Sequence, residues 1–320
     1  MRVLVFGAGP IGSIYSYFLS QVGNEVIHFV RALRAEQLSR GLHVSILDGR
    51  SPKDIKHVDM NYQIRTITDF GTERQFDLIL VSVKHHSLEA ALRVLRENDV
   101  RGDFLFFNGL WTDYSALDEF IARDRYLWGY PVAGGNVDYG KARLEGAILD
   151  NVLLGEIDGK ATDRLKRVAD VFKNAAIAVE TPANILHWIW IHMAINAGVI
   201  STCLKYGSAP AFMDSTKALR EGILTIREAL KVAVAKGADL NECKSEIRNY
   251  YLPALISSVA FKQVFRRNVL ARKIMELHNN LSDLYDLCTD VYRSAKELGI
   301  STPLFDQKAQ YFLHKTSSVK

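Results

Sequence analysis

Along the first half of the chain, short runs of β-branched and aromatic residues alternate with stretches whose apolar positions recur every third or fourth residue. Residues 3–6, 25–30, 78–83 and 104–107 are such runs, bounded by Gly, Asp or Asn. Ile11, Ile14, Tyr15, Phe18 and Val22 follow the helical spacing, as do Leu88, Ala91, Leu92 and Leu95. The runs predict buried strands and the spacing predicts helices with one apolar face. Strands alternating with helices predict a parallel, doubly wound sheet. Residues 143–148 and 152–156, on either side of Asp150-Asn151, predict a hairpin late in this half.

After about residue 180 the pattern changes. Residues 184–203, 215–236, 241–262 and 268–298 all predict long helices, with Pro182, Gly237, Gly299 and Pro303 as punctuation. The expected architecture is α/β: a Rossmann-type doubly wound domain over residues 1–180, then an all-helical domain over residues 181–320 for substrate and dimerisation. The default ligand site of such a pair is the cleft between domains.

Composition narrows the function classes. Of 320 residues, 48% are hydrophobic and 24% charged, values of an ordinary globular chain. Forty basic against 36 acidic residues leave a net charge of +4, no whole-chain case for nucleic acid or an anionic membrane. Cys203, Cys243 and Cys288 lie far apart without metal-ligand spacing, as expected in a reducing cytoplasm. The first apolar run is too short for a signal peptide, and the apolar stretch 188–200 is too short to cross a bilayer. No metal site is expected.

Gly7-Ala8-Gly9-Pro10-Ile11-Gly12 is a full G-x-G-x-x-G. It follows a predicted strand, opens a predicted helix and precedes a second strand, the context a dinucleotide site requires. Gly7 allows the tight turn, Gly9 lets a pyrophosphate approach the backbone, and Gly12 lets helix and strand pack closely. Pro10 and Ile11 start the helix whose N-terminus carries free N–H groups toward the phosphates. After the second strand, where NAD-binding members of this fold carry an acid, the chain has Arg31, with Arg34 close behind. A guanidinium pairs with a 2′-phosphate that a carboxylate would repel, so NADP(H) is the expected cofactor. The plainer alternative for Arg31 is a solvated surface side chain.

The whole chain, from Met1 to about Pro303, resembles the ketopantoate reductase (2-dehydropantoate 2-reductase) family. The resemblance rests on the glycine fingerprint, Arg31, the strand ending in Lys84, and Phe107-Asn108-Gly109. It rests also on Ala194-Ile195-Asn196 in a long helix and Ser282-Asp283-Leu284-Tyr285 in a late one. It implies the Rossmann-plus-helical fold, NADPH, and reduction of a 2-keto acid to a hydroxy acid, as in pantothenate biosynthesis. By resemblance Lys84 and Asn108 face cofactor and substrate, Asn196 lines the cleft, and Asp283 stands where the family has a glutamate holding the substrate hydroxyl. Lys84 as a solvated lysine and Asp283 as an exposed helix carboxylate are the bland alternatives.

The chain departs from the family at the proton donor. The family's lysine position falls on Trp188, and no Lys or Arg occurs between Lys173 and Lys205. An indole carries no charge and gives up no proton at neutral pH. His192 follows Trp188 by four residues and Asn196 follows by four more, so the three form one helical stripe. An imidazolium can donate a proton, which makes His192 the candidate acid, against a hydrogen-bonded core histidine. His85 and His86, beside Lys84, and His278 are weaker candidates, and Trp111, Trp188 and Trp190 line either core or pocket. Lys262, Arg266, Arg267, Arg272 and Lys273 read as a solvated helix face. The resulting expectation is an NADPH-dependent reductase of a small anionic keto acid or related ketone. A homodimer is one open assembly state. A catalytically inactive NADP-binding sensor is the alternative.

Overall fold

The computed structural model describes residues 1–84, 87–111, 115–277 and 281–313, with the backbone alone described at Ser115, Ala116, Ser282 and Asp283. The chain divides into two compact units, residues 1–108 with 113–185 and residues 109–112 with 186–320.

The first unit is built on one sheet. Its elements run β1 (Arg2–Phe6), α1 (Pro10–Ser20), β2 (Glu25–Phe29), α2 (Ala32–Gln37), β3 (Leu42–Asp48), β4 (Lys56–Tyr62), β5 (Arg65–Ile67) and β6 (Gln75–Val81). They continue as α3 (Leu88–Glu97), β7 (Arg101–Phe106), β8 (Tyr126–Asp138), β9 (Arg143–Gly155), α4 (Asp163–Asn174) and β10 (Ala178–Glu180). Spatially the order is β4-β3-β9-β8-β7-β6-β1-β2-β5, with β10 beside β9. The Rossmann-type α/β expectation holds: β5-β2-β1-β6-β7-β8 is parallel throughout. Val3, Leu4 and Val5 and the run Leu78, Ile79, Leu80 and Val81 are buried. Continuous apolar strands of this kind suit a parallel sheet covered on both faces. From β1 the chain moves outward to β2 and then returns to β6 on the other side. The C-terminal ends of β1 and β6 therefore flank a topological switch point, where open α/β sheets bind ligands.

The expected hairpin at Asp150-Asn151 is not formed. β9 runs unbroken from Arg143 to Gly155, antiparallel to β8, and the connecting turn is residues 139–142. Pro131 pairs with Val152 but Ala133 pairs with Ile148, so residues 149–151 stand opposite one residue of β8. The polar dipeptide is a β-bulge rather than a turn. The sheet is accordingly mixed, with β3–β4 and β8–β9 antiparallel.

The second unit is helical: α5 (Ile185–Tyr206), α6 (Ala209–Asp214), α7 (Thr216–Ala235), α8 (Lys244–Tyr251), α9 (Ala254–Arg267), α10 (Val269–Leu277), α11 (Leu281–Glu297) and α12 (Pro303–Asp306). One of the four expected helices, 241–262, is broken. Leu252-Pro253 separates α8 from α9, because proline has no N–H to continue a helix. Asn268 separates α9 from α10 and caps the latter, its Oδ1 accepting from Ala271 N–H at 2.9 Å. The basic run therefore spans two helices, and Arg272 pairs with Asp214 and Glu276. The apolar stretch expected to be too short for a bilayer lies in α5, whose 22 residues are long and apolar enough by composition, but 67% of that window is buried inside the protein. α5 is a core helix. It crosses α7 closely at Gly198, where a Cβ would lie 2.6 Å from Ile226 Cγ1.

Candidate functional site

The glycine fingerprint sits at the C-terminal end of β1, at the switch point. Gly7 has φ +104°, a conformation that side-chain-bearing residues rarely adopt. Its N–H donates to Phe29 carbonyl at 2.9 Å. Its own carbonyl receives Nδ1–H of His28 at 2.8 Å, and the other ring nitrogen of His28 faces Ser16 Oγ at 2.9 Å. His28 is wholly buried, and burial lowers its pKa to about 4, so the ring is neutral. The next carbonyl, Ala8, accepts the Tyr139 hydroxyl at 3.0 Å. The third, Gly9, accepts Ser13 N–H at 2.9 Å. Every carbonyl of the Gly7-Ala8-Gly9 turn is thus engaged, while the N–H groups of Ala8 and Gly9 donate to nothing among the described residues.

α1 begins directly after this turn, with Pro10 in its first turn and Gly9 as an N-cap that supplies no side chain. Its first N–H groups and its dipole therefore stay available to an anion. Gly12 lets α1 lie on the sheet: a Cβ there would be 2.6 Å from Ser82 Oγ and 2.9 Å from Val5 Cγ1. Behind the helix, a Cβ on Gly135 would lie 3.2 Å from both Pro10 Cβ and Ile14 Cδ1.

Asn108 stands beside the turn, two residues beyond β7. Its side-chain amide N–H donates to Val83 carbonyl, and its backbone carbonyl accepts the Trp128 indole N–H at 2.7 Å. The residue is 3% exposed, and among the described residues neither its Oδ1 nor the buried hydroxyl of Ser82 has a hydrogen-bond partner. A buried acceptor without a donor is costly, about 1–3 kcal/mol, which marks a place where a ligand donor belongs. Lys84 is exposed just past β6. Arg31 is exposed at the N-cap of α2, and its guanidinium makes no hydrogen bond or ion pair among the described residues. Arg34 lies 3.0 Å over the ring centroid of Tyr139 and donates to Gln37 Oε1 at 2.7 Å.

The first unit thus brings together Gly7, Gly9, Pro10, Ile11, Gly12 and Asn108, with Lys84 following β6 and Arg31 following β2. The predicted helical stripe belongs to the second unit. On α5 the rings of Trp188 and His192 stack, with centroids 4.6 Å apart and planes within 10°. Trp188 is buried, and His192 and Asn196 are half-buried. Trp111 is buried with its indole N–H on Ser294 Oγ at 2.7 Å, and Lys236 lies 4.7 Å from the Trp190 ring, so neither tryptophan stands in open space. His187 pairs with Glu242 at 3.1 Å. The Asp283 side chain and residues His85, His86 and His278 lie outside what is described.

Residues 3–159 match the family model described as ketopantoate reductase PanE/ApbA. Through these residues the chain belongs to the ketopantoate reductase family. Among similar proteins, the 2-dehydropantoate 2-reductase of Pyrococcus abyssi is 23% identical over 249 residues, covering 75% of this chain and 76% of that protein. The Lactococcus lactis enzyme of the same name is 20% identical, covering 100% of this chain and 99% of its own. Among solved structures, D-mandelate dehydrogenase with NADH and anilino(oxo)acetate has a TM-score of 0.75 at 17% identity, covering 99% of both chains. The 2-dehydropantoate 2-reductase of Geobacter metallireducens has a TM-score of 0.68 at 17% identity, covering 98% of this chain and 99% of that one. These likenesses give the fold.

The family's cofactor is a nicotinamide dinucleotide, and the turn fits its pyrophosphate: free amides, an uncapped helix N-terminus and no Cβ at Gly9 to bar approach. Sequence reasoning missed His28, Tyr139 and Ser82. His28 left one usable signal, a histidine inside an otherwise apolar central strand. Tyr139 and Ser82 left none, because their contacts depend on the fold.

Proposed function

We propose that this protein is an NADPH-dependent reductase of a small 2-keto acid or related ketone. The observation that carries this reading is the Gly7-Ala8-Gly9 turn, with its carbonyls engaged and its amides free, beside the unpartnered Oδ1 of Asn108. The bound cofactor supplies a hydride. Ala8, Gly9 and the first turn of α1 bind its pyrophosphate, and Arg31 takes a 2′-phosphate. Asn108 Oδ1 accepts from a carboxamide N–H, and Lys84 draws the substrate carboxylate. Hydride arriving at a ketone leaves charge on the carbonyl oxygen, which needs a proton. His192 is the donor in this reading. The indole of Trp188 stacks on its ring and holds the plane of the imidazole. Asn196 orients the substrate, and Asp283 anchors it.

The family's keto acid is a poorer fit than another ketone. Trp188 replaces the lysine of the resemblance and Asp283 replaces a longer acid, so both donor and anchor differ. A homodimer is the proposed assembly, in keeping with the dimeric ketopantoate reductase of Staphylococcus aureus. The three unpaired cysteines suit a cytoplasmic setting.

The test is NADPH consumption, followed at its nicotinamide absorbance, with a panel of 2-keto acids of graded side-chain size, ketopantoate included. The expected result is turnover of at least one member, with ketopantoate slow. Silence across the panel, or ketopantoate turned over as by an efficient reductase, contradicts the reading.

A further inference from the structure

The phosphate-binding turn is held from beneath by a histidine that touches only the buried carbonyl side of the turn. The Gly7–Ala8 peptide is planar and trans, so its carbonyl and N–H point in opposite directions. His28 fixes the carbonyl end, with Nδ1 at 2.8 Å from Gly7 oxygen. His28 is 0% exposed in β2, so that carbonyl points into the core and Ala8 N–H points away from it. A carbonyl accepts only, so Nδ1 carries the hydrogen. In the neutral ring Nε2 is then a lone pair facing Ser16 Oγ at 2.9 Å, and it shares the one hydroxyl hydrogen of Ser16 with the Ser13 carbonyl at 3.0 Å. Ser16 lies on α1. One side chain therefore ties together β2, the turn and the helix whose N-terminus faces the anion.

We propose that His28 is a positioning residue for cofactor phosphate: a neutral donor under Gly7 that sets the orientation of the Ala8 amide. This rests on the cofactor reading above. Gly7 depends on such a tether more than an ordinary residue would. At φ +104° it has no side chain of its own to restrict the peptide, and a glycine peptide released from its acceptor can rotate. A turned peptide would present the Gly7 carbonyl oxygen to the pyrophosphate, replacing attraction with repulsion.

The experiment compares wild type with His28→Leu, which removes both hydrogen bonds, and His28→Asn, whose Nδ2 can occupy the place of the imidazole Nδ1. His28→Val, a β-branched residue suited to a central strand, serves as a second variant without the donor. Each folded protein is titrated with NADPH and, separately, with adenosine 2′-monophosphate, which shares the 2′-phosphate but lacks the pyrophosphate. The expected result is NADPH affinity reduced roughly tenfold or more in the Leu and Val variants, the scale of one lost hydrogen bond to a buried acceptor. Affinity for adenosine 2′-monophosphate stays within about twofold of wild type, and the Asn variant recovers most of the NADPH loss. In turnover, KM for NADPH rises while kcat at saturating cofactor holds. A merely structural role would weaken both ligands alike and give no recovery with Asn. Equal NADPH affinity in wild type and the donor-free variants overturns the proposal alone. Failure of wild type to bind NADPH overturns the cofactor reading and this proposal with it.

Discussion

Replacing Gly12 by alanine sets two effects of opposite sign against each other. Within a helix alanine is favoured over glycine by about 1 kcal/mol. The added Cβ would, however, lie 2.6 Å from Ser82 Oγ and 2.9 Å from Val5 Cγ1, closer than heavy atoms tolerate. Val5 is wholly buried on β1, paired on one side with β2 and on the other with β6, so it cannot retreat. Ser82 directly precedes Val83, whose carbonyl holds Asn108. The helix must therefore lift, and overpacking of this kind costs typically about 1–3 kcal/mol. The clash at least offsets the propensity gain, and Gly12→Ala should lose up to about 2 kcal/mol of stability in urea unfolding. Lifting α1 also carries its N-terminal amides off the phosphates, so NADPH affinity should fall at least about tenfold, about 1.4 kcal/mol. Gly9→Ala is the contrast. Its Cβ would meet nothing nearer than Ser82 carbonyl oxygen at 3.9 Å, so the free protein should keep its stability while losing NADPH affinity. A Gly12→Ala protein as stable as wild type, with unchanged NADPH affinity, would refute the packing argument.

Arg31→Ala should weaken NADPH by about 1–3 kcal/mol and leave NADH nearly unchanged in calorimetric titration, since its guanidinium engages no other group among the described residues. His192→Ala should lower kcat about 10²–10⁴-fold with cofactor affinity preserved, and His192→Asn should not restore it, because an amide donates no proton; full activity in the Ala variant would remove His192 from the mechanism. His28 should contribute a pH dependence to folding. Its folded pKa of about 4 lies below the ordinary value of about 6.5, so the unfolded chain takes the proton first. Its contribution is then complete above about pH 6.5 and declines toward pH 4, by up to about 3 kcal/mol. Unfolding free energies of wild type and His28→Asn measured across that range should differ in slope, with wild type the steeper.

The cofactor half of the site was legible because its chemistry is local in sequence. Gly7, Gly9, Gly12 and Arg31 lie on one strand–turn–helix–strand unit, where spacing alone implies geometry. What holds the turn was not legible. Tyr139 reaches Ala8 from 131 residues away, by way of a β8–β9 connection that the pattern placed elsewhere. That misplacement has a physical origin: Asp150-Asn151 has turn composition, but Asn151 pairs with Ala178 of β10 and donates to Glu180 Oε1 at 2.6 Å. Polar residues in a bulge and polar residues in a turn look alike until the partner strands are known. The helical half shows the same limit. Apolar periodicity ran through Leu252-Pro253, where backbone chemistry ends one helix and starts another. The Trp188, His192, Asn196 stripe was legible because residues four apart share a face of any helix, and the stacked rings of Trp188 and His192 are its direct expression.

The most direct test of the account is a titration of the wild-type protein with NADPH and with NADH under one set of conditions, followed by calorimetry. The free amides of Ala8 and Gly9 at the start of α1, with Arg31 just after β2, predict saturable binding of both dinucleotides at one site, with NADPH at least about tenfold tighter. Equal affinities would contradict the role given to Arg31, and no binding of either would contradict the cofactor site itself.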